Sequence, residues 1–364
     1  ERRYNGLARS IVAFMAIMAA LLIHIGISLF AGAQVFEQFF NIPVTASILI
    51  ISIMTAVYTV VGGLTAVVVT ETLQTVILLA GAVIITVLAL FELPEIGVDS
   101  WSALQERLRP EQMDMLRTSN ADGYAWYALL LGYPVLGIWY WCTDQTIVQR
   151  VLGADSQQNA QGGALFAGLL KILPTFLMVL PGVLAYALYR DLIPDGEAAK
   201  TLPVMISQLV PIGVRGLIAA ALLAALMSTI AAALNSAGTL VAVDIVKKFR
   251  PQTSDQAQVR IGRIAAVTVM LLAMGWSTQG DKFTSIFEAI NKMPAQFLAP
   301  PITAVFLWGV FWRRGTKEAA VATLAVGFGF GLIAFAVALP LITIYEVEKE
   351  VNGVASLVPQ QIIT

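Results

Sequence analysis

What most constrains this chain is how often it stays apolar for the thickness of a bilayer. A helix needs about 20 apolar residues to cross the hydrocarbon core. Nine stretches qualify: 10–35, 44–61, 66–91, 125–143, 162–189, 213–241, 260–276, 284–311 and 317–341. None alternates apolar and polar residues as a barrel strand would, so the runs read as helices. Only 12% of the residues are charged, about half the roughly 25% of a water-soluble domain. That balance excludes a soluble enzyme, a disordered chain and a nucleic-acid binder. The expectation is an all-α polytopic membrane protein.

A single cysteine, Cys142, rules out an intrachain disulfide or a cysteine-cluster metal site, and a single histidine, His24, rules out a multi-histidine one. No nucleophile–base pair stands out, so enzymatic chemistry is not expected. Basic residues in the short connecting segments, among them Arg2, Arg3, Arg9, Lys247, Lys248, Arg313 and Arg314, share one side if the N-terminus is cytoplasmic. The positive-inside rule favours that orientation. The opening "ERRYN" has neither a starting Met nor a signal-peptide shape, and the chain stops at "VPQQIIT". It reads as a fragment cut at both ends.

Function in such a chain falls to polar groups at membrane depth, which are expensive there and seldom idle. Lys171 lies about ten residues into its span, roughly 15 Å deep at 1.5 Å per residue. Snorkelling to an interface is hard from that depth, which favours a functional lysine. Lys292 stands beside Pro294, with Pro300 and Pro301 following. It reads either as a site lysine on a broken helix or as a donor to the carbonyls that the prolines free. His24 reads equally as a hydrogen-bonded helix-interface residue and as a substrate contact. Ala225, Ser228 and Thr229 set carbonyl and hydroxyl oxygens on adjoining positions. Such groups either pack helices closely or serve a hard cation, which takes oxygen ligands. Glu71, near the start of the third span, reads as a helix-dipole cap or, as an ionisable group in an apolar run, as a functional carboxylate. The run Trp139-Tyr-Trp-Cys-Thr-Asp144 offers interfacial aromatics that could equally face a sugar ring.

Taken together these stretches resemble the sodium/glucose cotransporter branch of the sodium:solute symporter family. The matching segments are "GGLTAVVVTETLQTVILLAG" (62–81), "WYWCTDQTIVQRVLGA" (139–154), "LLKILPTFLMVLPG" (169–182), "ALMSTIAAALNSAGTLVAVDI" (225–245) and "PPITAVFLWGVFW" (300–312). The resemblance implies part of a five-plus-five inverted-repeat transporter core, one transmembrane domain over 1–364. Residues 10–91 would be the last three helices of the first repeat, 125–312 the second repeat and 317–341 a peripheral helix. The first two core helices would precede Glu1 and be absent.

Carried over by position, the resemblance makes Ala225, Ser228 and Thr229 sodium ligands. Tyr140 becomes the inner-gate tyrosine that stacks on the sugar, with Trp141 its neighbour, and Lys171 a donor to sugar hydroxyls. Glu71 matches an aspartate linked to sodium passage, one methylene longer here. Lys292 replaces a glutamine of the sugar-transporting members. Ala231 and Ala232 stand where two-sodium members have hydroxyls, which argues for one sodium. The implied activity is sodium-coupled symport of a sugar or polyol by alternating access at the cell membrane. The implied partners are the solute, sodium as coupling ion and the lipid bilayer, with no cofactor and no nucleic acid. Two lysines at one depth need a counter-charge, and Glu71 and Glu288 lie nearer opposite faces. An anionic solute such as a sugar acid or carboxylate is therefore an alternative, and a transporter-like sensor module is a further one.

Overall fold

The computed structural model describes residues 1–112, 125–193, 200–280 and 293–357, with backbone alone from 338. Among the described residues there is no strand, and seven helical runs are long and apolar enough to cross a membrane. They are Gly6–Phe40, Val44–Ile96, Gln157–Tyr189, Ile212–Phe249, Asp255–Ser277, Pro294–Phe311 and Lys317–Val337. The chain is an all-α, multi-pass membrane protein.

The difference between nine expected spans and seven runs has physical causes. The expected spans 44–61 and 66–91 are one run, Val44–Ile96, of 53 residues. At 1.5 Å per residue it is about 80 Å long, far beyond a core about 30 Å thick. It is broken at Gly63, where φ is 63° and ψ is −163°, a region essentially closed to any residue with a Cβ. The expected span 125–143 forms Trp126–Ile138 and then a π-helical turn, Trp139–Thr143. Pro134 interrupts its ladder, and its many Trp and Tyr residues make it less apolar than the other runs. The expected span 284–311 begins outside the described residues; its described part starts at Met293 and its apolar run at Pro294.

The remaining runs are also interrupted, and the interruptions place the polar groups. Gln157–Leu170 ends in a turn, because Pro174 has no N–H and crowds the carbonyl four residues back. Lys171 is left at that turn, in the middle of the 33-residue run Gln157–Tyr189. The first run opens into a π-helical segment at Ala20–Ile27. There the Trp276 indole Nε1–H donates to the Leu22 carbonyl at 3.0 Å, and such an inserted donor is a recognised cause of helix distortion.

Three apolar clusters hold the helices together. Met15, Ile23, Trp139, Met293, Phe297 and Leu324 join the first run to the aromatic segment and the last two runs. Ile25, Leu29, Ile51, Leu223, Ile230, Leu234 and Met270 pack the first two runs against Ile212–Thr239 and Asp255–Ser277. Ile85, Leu104, Leu184, Met205 and Ile218 form the third. Small residues let backbones meet, as membrane helices require: a Cβ on Gly238 would lie 2.7 Å from the Gly262 carbonyl oxygen. Leu131, Leu165, Phe166 and Phe91 are exposed.

Polar ties close the structure near the N-terminus. The Arg3 guanidinium donates to the carbonyls of Gly309, Trp312 and Gly315 at 2.8–3.1 Å. It thus satisfies orphan acceptors at the end of helix Ala299–Phe311. Arg9 pairs with Asp244 at 2.5 Å and with Glu1 at 2.6 Å. Asp244 is thereby engaged by a cation.

Candidate functional site

The site residues fall into two groups, linked by one short helix. Asp144 leaves helical geometry (φ −68°, ψ 125°) and caps Gln145–Leu152, its Oδ1 accepting from the Thr146 N–H at 2.8 Å. A side-chain cap is the common solution for a helix whose first N–H groups lack partners. The same oxygen accepts from the Thr146 hydroxyl. Its other oxygen, Oδ2, is 3.0 Å from His24 Nε2.

Around that pair stands the aromatic group. The His24 ring is parallel to Trp139 within 4°, centroids 6.4 Å apart, and tilted 46° to Tyr140 at 6.3 Å. Tyr140 meets Trp141 edge-on at 5.1 Å and 88°. Lys171 Nζ lies 5.0 Å from the Trp141 ring centroid, within cation–π range. Lys171, thirty residues along the chain, is thus brought against Trp141, whose sequence neighbour Tyr140 packs on its edge. Lys171 and Trp141 are exposed, whereas Tyr140 is half-buried.

At the other end of the short helix is the oxygen-rich group. Arg150 donates from Nε to Glu71 Oε2 at 3.1 Å and from Nη2 to Oε1 at 2.6 Å. This is a two-point fork on a carboxylate. The Ser228 hydroxyl donates to the same Oε1 at 2.9 Å. One turn back, Thr229 Oγ1 lies 3.3 Å from the Ala225 carbonyl oxygen. The Tyr58 hydroxyl donates to the Met227 carbonyl at 3.0 Å. Glu71 is therefore no terminal cap: it sits inside the helix Val44–Glu92, beyond the Gly63 break, and its partners are side chains. Ala231 and Ala232 are buried, and the Gln149 amide donates to the Ala232 carbonyl at 3.1 Å.

Lys292 and Glu288 lie outside the described residues. Sequence reasoning gave no role to Arg150, Gln149 or Tyr58. Arg150 had a usable signal, since a carboxylate at Glu71 in an apolar run calls for a cation.

The comparisons agree with this architecture. The model of the sodium:solute symporter family matches residues 1–327. The Bos taurus sodium/mannose cotransporter is 32% identical over 360 residues, covering 91% of this chain and 60% of the relative. The Mus musculus sodium/glucose cotransporter 4 is 33% identical, covering 92% of this chain and 53% of the relative. The Oryctolagus cuniculus sodium/myo-inositol cotransporter 2 is 31% identical, with 92% and 54% covered. The chain thus spans little more than half the length of these relatives. A solved structure of a sodium-coupled sialic acid symporter, in a substrate-bound outward-open state, superposes with a TM-score of 0.73. That match has 24% identity and covers 94% of this chain and 76% of that one, so it speaks for the fold alone, an inverted-repeat helical core. By fold and by sequence, this chain belongs to the sodium:solute symporter family.

Proposed function

We infer that this chain forms the second repeat and part of the first repeat of a sodium-coupled symporter for a neutral sugar or polyol, working by alternating access. The observation that carries the reading is the convergence of Lys171, Trp141 and Tyr140. An aromatic face beside a charged donor suits a ring that is apolar on its faces and hydroxylated at its edge. Residues 10–91 supply three helices of the first repeat, 125–312 the second repeat and 317–341 the peripheral helix.

For the ion, the Ala225 carbonyl with the Ser228 and Thr229 hydroxyls offers neutral oxygens and no group to carry a proton, which favours sodium over protons. Ser228 donates its hydrogen to Glu71, so its lone pairs stay free for a cation. Buried methyls at Ala231 and Ala232, and a Glu71 already engaged by Arg150, support a single coupled sodium. The family names of the relatives, mannose, glucose and myo-inositol, point to neutral solutes.

A second reading, an anionic solute, draws on Lys171: it forms no ion pair among the described residues, and Lys292 would add a second ammonium. One experiment separates the two. Uptake by the full-length protein is compared in sodium and choline buffers, with neutral hexoses and inositols competing against uronic and carboxylic acids. The expected result is loss of uptake in choline and competition by neutral solutes. Equal uptake in choline sinks the sodium reading. Competition by acids alone, abolished in Lys292→Gln, replaces the neutral solute with an anionic one.

A further inference from the structure

The function above leaves His24 and Asp144 unused, yet Asp144 is the only charged residue among the fully buried described ones, 4% exposed. A buried carboxylate needs its lone pairs filled. Thr146 occupies Oδ1 from its N–H and its hydroxyl, so the histidine is the partner of Oδ2. An ionised carboxylate only accepts, which assigns the bonding proton to His24 Nε2. That bond fixes the imidazole plane. The plane in turn lies parallel to Trp139 and against Tyr140, so His24, 120 positions from Asp144 in sequence, stands against two rings of the segment that Asp144 ends.

His24 makes no direct claim on the solute: it is 11% exposed and walled off by the rings it touches. We propose that His24 is a positioning residue which, tied to Asp144, holds the Trp139–Tyr140 platform in the pose that binds solute and so sets solute affinity. The proposal rests on the reading of Tyr140 as a solute face, and its test keeps the two apart.

The test uses the full-length protein with two substitutions that each remove one half of the device. His24→Gln retains a donor for Asp144 and loses the ring; His24→Phe retains the ring and loses the donor. Uptake of labelled myo-inositol and labelled D-mannose gives half-saturation and maximal rate. Alkylation of Cys142 by N-ethylmaleimide gives a readout free of any solute. Cys142 is exposed and lies in the same π-helical turn as Tyr140.

In each variant half-saturation should rise roughly three- to tenfold, the range of one modest hydrogen bond, with maximal rate per transporter within about twofold. The Cys142 alkylation rate should shift severalfold in the same proteins. Unchanged half-saturation in folded variants overturns the proposal, whether or not maximal rate falls, because a merely structural histidine moves only the amount of working protein. If His24→Phe does not fold, His24→Gln decides alone. If the wild type takes up neither probe, D-mannose and myo-inositol are excluded as its solutes. The alkylation rate then judges His24 by itself, an unchanged rate overturning its positioning role.

Discussion

Helix Gln145–Leu152 is tied to the preceding spans at both ends, and the two ties differ in how exposed they are. At the N-terminal end Asp144 and His24 are 4% and 11% exposed and enclosed by Trp139 and Tyr140. At the C-terminal end Glu71 and Arg150 are 15% and 30% exposed, and Glu71 is shared with the Ser228 hydroxyl. Both are carboxylate–base pairs, yet their surroundings suit them to different tasks. In a dry pocket a broken pair leaves a polar group with no alternative partner, so the pair stays made. Where water enters, the net worth of a pair is small and its partners can exchange. A platform that must not move belongs at the first end, and a carboxylate on an ion path belongs at the second.

The largest effect expected from this contrast is at Asp144. Asp144→Ala removes the cap of Gln145–Leu152, worth about 1 kcal/mol, and a charge-assisted bond to His24 worth about 1.5–3 kcal/mol. Together the loss is about 3 kcal/mol, since such terms are not strictly additive. Denaturant unfolding of the purified protein in detergent should show it, beside an Arg150→Ala loss of about 1 kcal/mol or less. Equal losses at the two positions would break the comparison.

How much of this was legible in the sequence depends on the kind of feature. The long apolar runs announce themselves by hydropathy, and the Gly62-Gly63 pair marks the division between the spans 44–61 and 66–91. The family motifs also named Tyr140, Trp141, Lys171, Glu71 and Ser228, which the fold brings into two groups. The π-helical opening at Ala20–Ile27 was not legible, because its partner is Trp276, a tertiary neighbour with no local signal. The His24–Asp144 pair was half legible: a lone histidine in an apolar run and an aspartate ending an aromatic one each call for a partner. Nothing in the spacing said that they call for each other. Pro174 carried a signal for a break, but 162–189 was read as one span, which placed Lys171 by depth and missed the turn that presents it.

The second effect sharpens the comparison by moving one tie and sparing the other. Glu71 is carried on the helical segment that follows Gly63, and Gly63 holds φ 63° and ψ −163°. A Cβ built there meets nothing within 4 Å, so the cost of Gly63→Ala is one of backbone conformation alone. Such strain is about 1–3 kcal/mol. Relieving it would rotate the segment that bears Glu71, disturbing the Arg150 tie and leaving the His24 tie intact. The expected outcome is a stability loss of about 2 kcal/mol, with an altered sodium dependence and an unaltered Cys142 alkylation rate. A change in Cys142 reactivity would mean that the two ends of the short helix are not independent.

The smallest effect is at Arg150 itself. Arg150→Lys preserves the positive charge but replaces a planar fork, bonded to both Glu71 oxygens at 2.6 and 3.1 Å, with a single flexible ammonium. The charge balance around Glu71 survives, and the Ser228 hydroxyl still donates to Oε1. What is lost is the second hydrogen bond and the rigidity of the pair, in a setting where water can compensate. Stability should fall by less than about 1 kcal/mol. Sodium affinity should move more than stability does, because a loosened Glu71 holds the Ser228 hydroxyl less firmly and Ser228 is a proposed ligand. Measured sodium activation curves for wild type and Arg150→Lys, at matched amounts of folded protein, would show it as a rightward shift. If the curves coincide while stability falls by as much as in Asp144→Ala, the Arg150 end is a structural tie like the other, and its place on an ion path is wrong.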